Sequence, residues 1–176
     1  MNQVTIVATV IGEDRPGLVE SIAETVVANG GNWVESQMAH LAGQFAGILK
    51  VGVPAESVAQ LETALSGLQA TGLQTIVRTD DSSPDGIQAE SLLLELVGHD
   101  RPGIIREVTG VLASLGVNVE ELGTEITAAA NTGQPLFNAA ATLRLPAGVD
   151  RAQLQAALEE VAGDLMVDIQ LKANEL

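Results

Sequence analysis

The sequence predicts an α+β protein made of two copies of one β-α-β-β-α-β unit, and three observations carry that prediction. A seven-residue string is written twice, as "GEDRPGL" at 12 to 18 and "GHDRPGI" at 98 to 104. After each string the apolar pattern alternates between strand-like and helical spacing in the same order. Between the copies lies "TDDSSPDGIQAE", 79 to 90, whose Ser, Pro, Asp and Gly content reads as a linker.

Shifting the chain by 86 residues pairs Ile6, Ala8 and Val10 with Leu92, Leu94 and Leu96. The same shift brings Gly12, Asp14, Arg15, Pro16 and Gly17 onto Gly98, Asp100, Arg101, Pro102 and Gly103, and Gly30 and Asn32 onto Gly116 and Asn118. At an offset of 92 the only two phenylalanines, Phe45 and Phe137, align, and at 93 Leu61, Leu65 and Ile76 meet Leu154, Leu158 and Ile169. The added residues fall around "NTGQP", 131 to 135, where a turn absorbs them. The chain is therefore a duplication of a unit of roughly 80 residues. The first domain is expected over 1–80, a linker over 81–89 with the boundary near Pro84, and the second domain over 90–176.

Each unit opens with a strand, alternating over 3 to 11 and densely apolar over 91 to 97. A helix follows, with Leu18, Val19, Ile22 and Val26 forming one apolar stripe, and Ile104, Ile105, Val108, Leu112 and Leu115 its counterpart. Pro16 and Pro102 suit the first helical position, and Gly30 and Gly116 the left-handed residue past the end, so the helices are expected over 16 to 29 and 102 to 115. Two strands joined by a turn come next, 32 to 41 with 44 to 53, and 118 to 127 with 136 to 145. "SVAQ" at 57 to 60 and "DRAQ" at 150 to 153 then announce second helices through a capping-box pattern. Closing strands are expected at 72 to 79 and 165 to 172. With right-handed crossovers, that order gives two ferredoxin-like domains, each a four-stranded antiparallel sheet with two helices on one face. Thr5, Val7 and Thr9 with Thr75, Val77 and Thr79 are expected to line the uncovered face of the first sheet.

Composition narrows the function. With 46% apolar and 18% charged residues the chain folds rather than stays extended. A net charge of −15, with Lys50, Arg78, Arg144, Arg151 and Lys172 scattered singly, argues against direct nucleic-acid binding. The lack of cysteine excludes a disulfide framework, a thiol nucleophile and cysteine-ligated zinc. The first residues lack a signal-peptide pattern and no apolar run nears the roughly 20 residues of a membrane helix, so a cytoplasmic protein without membrane contact is expected. With two histidines, no G-x-S-x-G elbow, no GxxxxGK[ST] loop and no HExxH helix, no catalytic residue, metal site or cofactor is expected. The acidic pairs Asp80-Asp81 and Glu159-Glu160 read as solvated surface.

The repeated loop suits a zwitterion. The first N–H groups of a helix have no intrahelical partner and carry the positive end of the dipole, which favours a carboxylate. Gly17 and Gly103 allow close approach to that backbone, and Asp14 and Asp100 are placed to accept from an α-ammonium. Asn32 and Asn118 open the next strand, are expected to return near the loop, and have amides that both donate and accept. Arg15 and Arg101 are candidates for an acidic ligand or partner. The competing reading makes the whole string a strand-to-helix connection, with Asp as turn residue, Pro as helix starter and Gly as steric relief. His99, where the first copy has Glu13, is a candidate pH-sensitive group, with an ordinary surface histidine the commoner case. His40 is weighed in the same way. Trp33, matched by Val119, is assigned first to core or inter-domain packing and second to a pocket.

A β-α-β-β-α-β unit carrying "DRPGL" or "DRPGI" before its first helix and "GxN" after it resembles the ACT domain, a small regulatory module that binds amino acids. Two such units in tandem resemble the glycine cleavage system transcriptional repressor family. The resemblance implies a ligand at the loop, shared across an interface between two ACT units, on Asp14, Arg15, Pro16, Gly17, Leu18 and Asn32, and on Asp100, Arg101, Pro102, Gly103, Ile104 and Asn118. It implies a non-catalytic sensor of a small amino acid such as glycine or serine, forming a homo-oligomer and controlling a protein partner such as a transcriptional activator, so that repression is indirect. The alternative is a ligand-free interaction or dimerisation module.

Overall fold

The computed structural model describes residues 2–79, 90–130 and 132–174. The chain divides into two compact units, residues 1–85 and 86–176. The linker expected over 81–89, and Asp80-Asp81 beside it, lie outside the described residues.

The first unit runs β1 (Gln3–Glu13), α1 (Leu18–Ala28), β2 (Asn32–Leu41), β3 (Gln44–Pro54), α2 (Val58–Gly67) and β4 (Leu73–Thr79). The second repeats it as β5 (Ser91–His99), α3 (Ile104–Ser114), β6 (Asn118–Ala128), β7 (Pro135–Arg144), α4 (Arg151–Leu165) and β8 (Val167–Ala173). The sheets are ordered β2-β3-β1-β4 and β6-β7-β5-β8, every pair antiparallel. Each is the four-stranded, ferredoxin-like sheet that the order of periodicities predicts.

Alternation decides which face is buried. Ile6, Ala8 and Val10 of β1 meet Leu49, Val51 and Val53 of β3, Leu18, Ile22 and Val26 of α1, and Leu61 and Leu65 of α2 in one core. Leu92, Leu94 and Leu96 occupy the matching places in the other, with Ile104, Val108, Leu112, Leu154 and Leu158 from the helices. Each such Leu or Ile contributes roughly 1.5–3 kcal/mol by leaving water. Trp33 is half-buried and packs on the first core, the role assigned to it first. Both leading helices end as expected: Gly30 and Gly116 have positive φ, and the N–H groups of Gly31 and Val117 reach back 2.9 Å to the carbonyls of Val26 and Leu112.

Four local expectations are corrected. Pro16 and Pro102 precede the helices instead of opening them, because Gly17 at φ 92° and Gly103 at φ 99° turn the chain before Leu18 and Ile104. Only the second capping residue works: Asp150 accepts from the Gln153 N–H at 2.8 Å, whereas Ser57, itself in a helical conformation, makes no side-chain cap. Thr75, Val77 and Thr79 lie on the helix side, opposite Val10, Ala8 and Ile6, so the bare face of β4 carries Gln74, Ile76 and Arg78. Finally, Val10 opposes Thr75 while Leu96 opposes Ile169, so the closing strands match at an offset of 94, not 93. One extra residue before β8 causes that slip, and Met166 takes the left-handed place that Gly72 fills in the first unit.

Candidate functional site

Both repeated loops are built on the same three ties. First, the N–H of Asp14 donates to the Gly43 carbonyl at 2.9 Å, and that of Asp100 to the Pro135 carbonyl at 3.2 Å, fastening each loop to the neighbouring strand-strand turn. Second, the Arg15 guanidinium donates to the Thr71 carbonyl, and that of Arg101 to the Asp164 carbonyl at 2.9 Å. These carbonyls end the helical segments before β4 and β8, where the dipole is negative and a cation is favoured. Third, Gly17 and Gly103 hold left-handed conformations with open space around them, so conformation and not crowding calls for glycine.

The result is a surface loop in which Asp14, Pro16 and Gly17, like Asp100, Pro102 and Gly103, are exposed. No side chain caps α1 or α3 at Gly17 or Gly103, so the first N–H groups of each helix lack both an intrahelical partner and a side-chain cap. Leu18 and Ile104 differ: at 5% and 2% exposure their side chains belong to the cores, and only their main chain remains for a ligand. Arg15 and Arg101, candidates for an acidic ligand or partner, already hold helix-end carbonyls.

The asparagines stand elsewhere. Asn32 pairs with Gly52, which pairs with Thr5, whereas the loop leaves β1 after Glu13, eight residues on. At about 3.3 Å per residue that is roughly 26 Å. Asn118 lies opposite Arg144 and, through it, Ser91, again eight residues from His99. The first helix returns the chain to the far end of the sheet, so β2 and β6 begin where the loop is not. The expected approach of each asparagine to its own loop does not occur.

What does reach the first loop is the far end of β2. His40 Nε2 lies 3.6 Å from Asp14 Oδ2, both side chains being largely exposed, which makes an ion pair whenever the imidazole is protonated. The sequence offered His40 as a candidate pH-sensitive group, with an ordinary strand histidine the commoner case, and gave it no partner. The signal was available in the element order, since the last residues of β2 share the loop's end of the sheet. Ile126 takes the same register position in the second unit, opposite Phe137 as His40 is opposite Phe45. His99 is exposed at the end of β5 beside Asp100.

Two depressions lie on the bare faces of the sheets. A depression of about 460 Å³ on the bare face of the second sheet is lined by Glu95, Val97, Gly123, Glu125, Asn138 and Ala140 among others. A smaller one of about 210 Å³ on the first sheet includes Val7, Gln37, Ile48 and Lys50. In the larger, Glu95 is paired with Lys172, and Asn138 donates to the Thr127 hydroxyl at 2.8 Å, so these polar groups are already engaged. Among the described residues no three His, Asp or Glu side chains gather as metal ligands would, and no helix is long and apolar enough to cross a membrane.

Comparison with known proteins follows the same duplication. The family model of the ACT domain matches residues 4–78 and again 90–172. The glycine cleavage system transcriptional repressors of Escherichia coli K12 and Shigella flexneri are each 25% identical over 162 residues, covering 91% of this chain and 85% of theirs. A protein of unknown function from Galdieria sulphuraria superposes with a TM-score of 0.85 at 30% identity, over 99% of this chain and all of its own. A crystal structure assigned to a glycine cleavage system transcriptional repressor gives 0.71 at 20% identity, over 98% of both chains, and speaks for the fold.

Proposed function

Since the chain belongs to the ACT domain family, with one domain in each half, we propose that it is a non-catalytic regulatory protein that senses a small amino acid, glycine or serine, and passes the bound state to a protein partner. The observation that carries this reading is the duplicated loop: an exposed aspartate beside an uncapped helix N-terminus, tied in the same way in both units. An α-carboxylate is favoured at such free N–H groups, and an α-ammonium at the aspartate. Binding there stabilises one arrangement of the loop, and a partner that prefers that arrangement is held or released.

The likeness to the repressors of Escherichia coli and Shigella flexneri supports a transcriptional setting. A net charge of −15 supports action through a protein such as an activator and not through DNA. Asn32 and Asn118 would join a site only where another ACT unit supplies the loop.

Calorimetry of the purified protein against the twenty amino acids tests the reading, with Asp14→Ala and Asp100→Ala as variants. Binding of one or a few small amino acids, lost on substitution, is expected. Binding of none would leave the alternative of a ligand-free interaction module, and measurable affinity for duplex DNA at moderate salt would contradict indirect repression.

A further inference from the structure

The two loops share their ties but not their charges, and three differences point the same way. Asp14 has the His40 imidazole 3.6 Å away, whereas the place of His40 is taken by Ile126, 60% exposed and unable to bind a carboxylate. The third residue of α1 is Glu20 and the third of α3 is Arg106, both exposed. Glu13 before Asp14 becomes His99 before Asp100.

A zwitterion has two demands, and each difference bears on one. Its carboxylate seeks the free N–H groups of the first helical turn, where Glu20 alone repels it in α1, whereas in α3 Arg106 attracts it and offsets the neighbouring Glu107. Its ammonium seeks the aspartate. Asp14 is contested by His40, while no ion pair or hydrogen bond engages the Asp100 carboxylate among the described residues. Counting side chains from the residue before the aspartate through the first helical turn, the first loop holds Glu13, Asp14, Arg15 and Glu20, and the second holds His99, Asp100, Arg101, Arg106 and Glu107. The first is net acidic and the second balanced with histidine neutral.

Resting on the sensing role proposed above, we propose that the second loop is the amino-acid site and that Glu20 and His40 close the first loop to zwitterions, which makes Glu20/Arg106 and His40/Ile126 the specificity-determining pairs. The duplication would then have kept one loop for the ligand and converted the other into a fixed connection, with His40 as a further tie to β2.

Titration calorimetry with glycine and with serine tests this on the full chain, with circular dichroism checking that each variant is folded. The wild-type protein is expected to bind one ligand per chain. Arg106→Glu and Ile126→His should each weaken that binding about tenfold or more, the size of one charge-assisted contact. The double variant Glu20→Arg/His40→Ile should raise the stoichiometry to two. Two equal sites in the wild-type chain, or one site indifferent to Arg106→Glu and Ile126→His, would overturn the assignment while leaving the sensing role intact. No binding of any amino acid to the wild-type chain would overturn both.

Discussion

Arg101 donates to the main-chain carbonyl of Asp164 at 2.9 Å, spanning 63 residues to join the repeated loop to the end of α4. Arg15 makes the same connection to Thr71 in the first unit. The arginine of each "DRPG" string is thus explained by the fold: it holds a helix-end carbonyl that would otherwise face solvent. Replacing Arg101 with Ala should destabilise the second unit by about 1 kcal/mol, the net worth of one exposed hydrogen bond. Denaturant unfolding followed by circular dichroism would show it, with Arg101→Lys restoring part of the loss.

Thr75 has a hydroxyl buried without a hydrogen-bond partner, at the place where the second unit has Ile169. Substituting Val removes the stranded group and keeps the shape, so Thr75→Val should stabilise the first unit by about 1 kcal/mol. Trp33 is the only tryptophan and packs on the first core, so its fluorescence reports that unit selectively.

Met166 is 75% exposed and holds a left-handed conformation at φ 52°. Its counterpart is Gly72, which adopts the same region without a Cβ penalty. Met166→Gly should therefore raise the stability of the second unit by about 0.5–1 kcal/mol in denaturant unfolding, a gain smaller than the relieved strain because glycine loses more freedom on folding.

Asp150 and Ser57 looked alike as caps in the sequence, yet only Asp150 accepts a bond from its helix. Asp150→Ala should cost about 1 kcal/mol and Ser57→Ala next to nothing. Equal losses would mean that both helix starts are capped in solution.

A Cβ at Gly12 would sit 2.7 Å from the carbonyl oxygen of Gly72, a main-chain atom that cannot swing aside. Gly12→Ala should lower the stability of the first unit by about 2 kcal/mol, in the range of overpacking. Gly123→Ala, with nothing within 4 Å of the new methyl, should be far milder. Trp33 fluorescence for the first variant and circular dichroism for the second would separate the two.

By itself the sequence determined the element order, the buried positions of β1 and β5, the inward stripes of α1 and α3 except for Val19, which is 48% exposed, the duplicated loop and the likeness to ACT domains. Those properties are local: Ile6, Ala8 and Val10 alternate in any sheet, and Gly30 ends a helix whatever lies beside it. The tertiary structure decided what depends on which segments end up side by side. Periodicity tells which face a residue takes but not the height at which it meets a neighbouring strand, so Thr75 was assigned to the wrong face and the closing strand to the wrong register. Chain direction carried Asn32 away from the loop and brought His40 to it, because a helix returns the chain to the opposite end of the sheet and a strand brings it back. That reversal is why the partner of Asp14 came from β2 and why the two copies of one string differ in their surroundings.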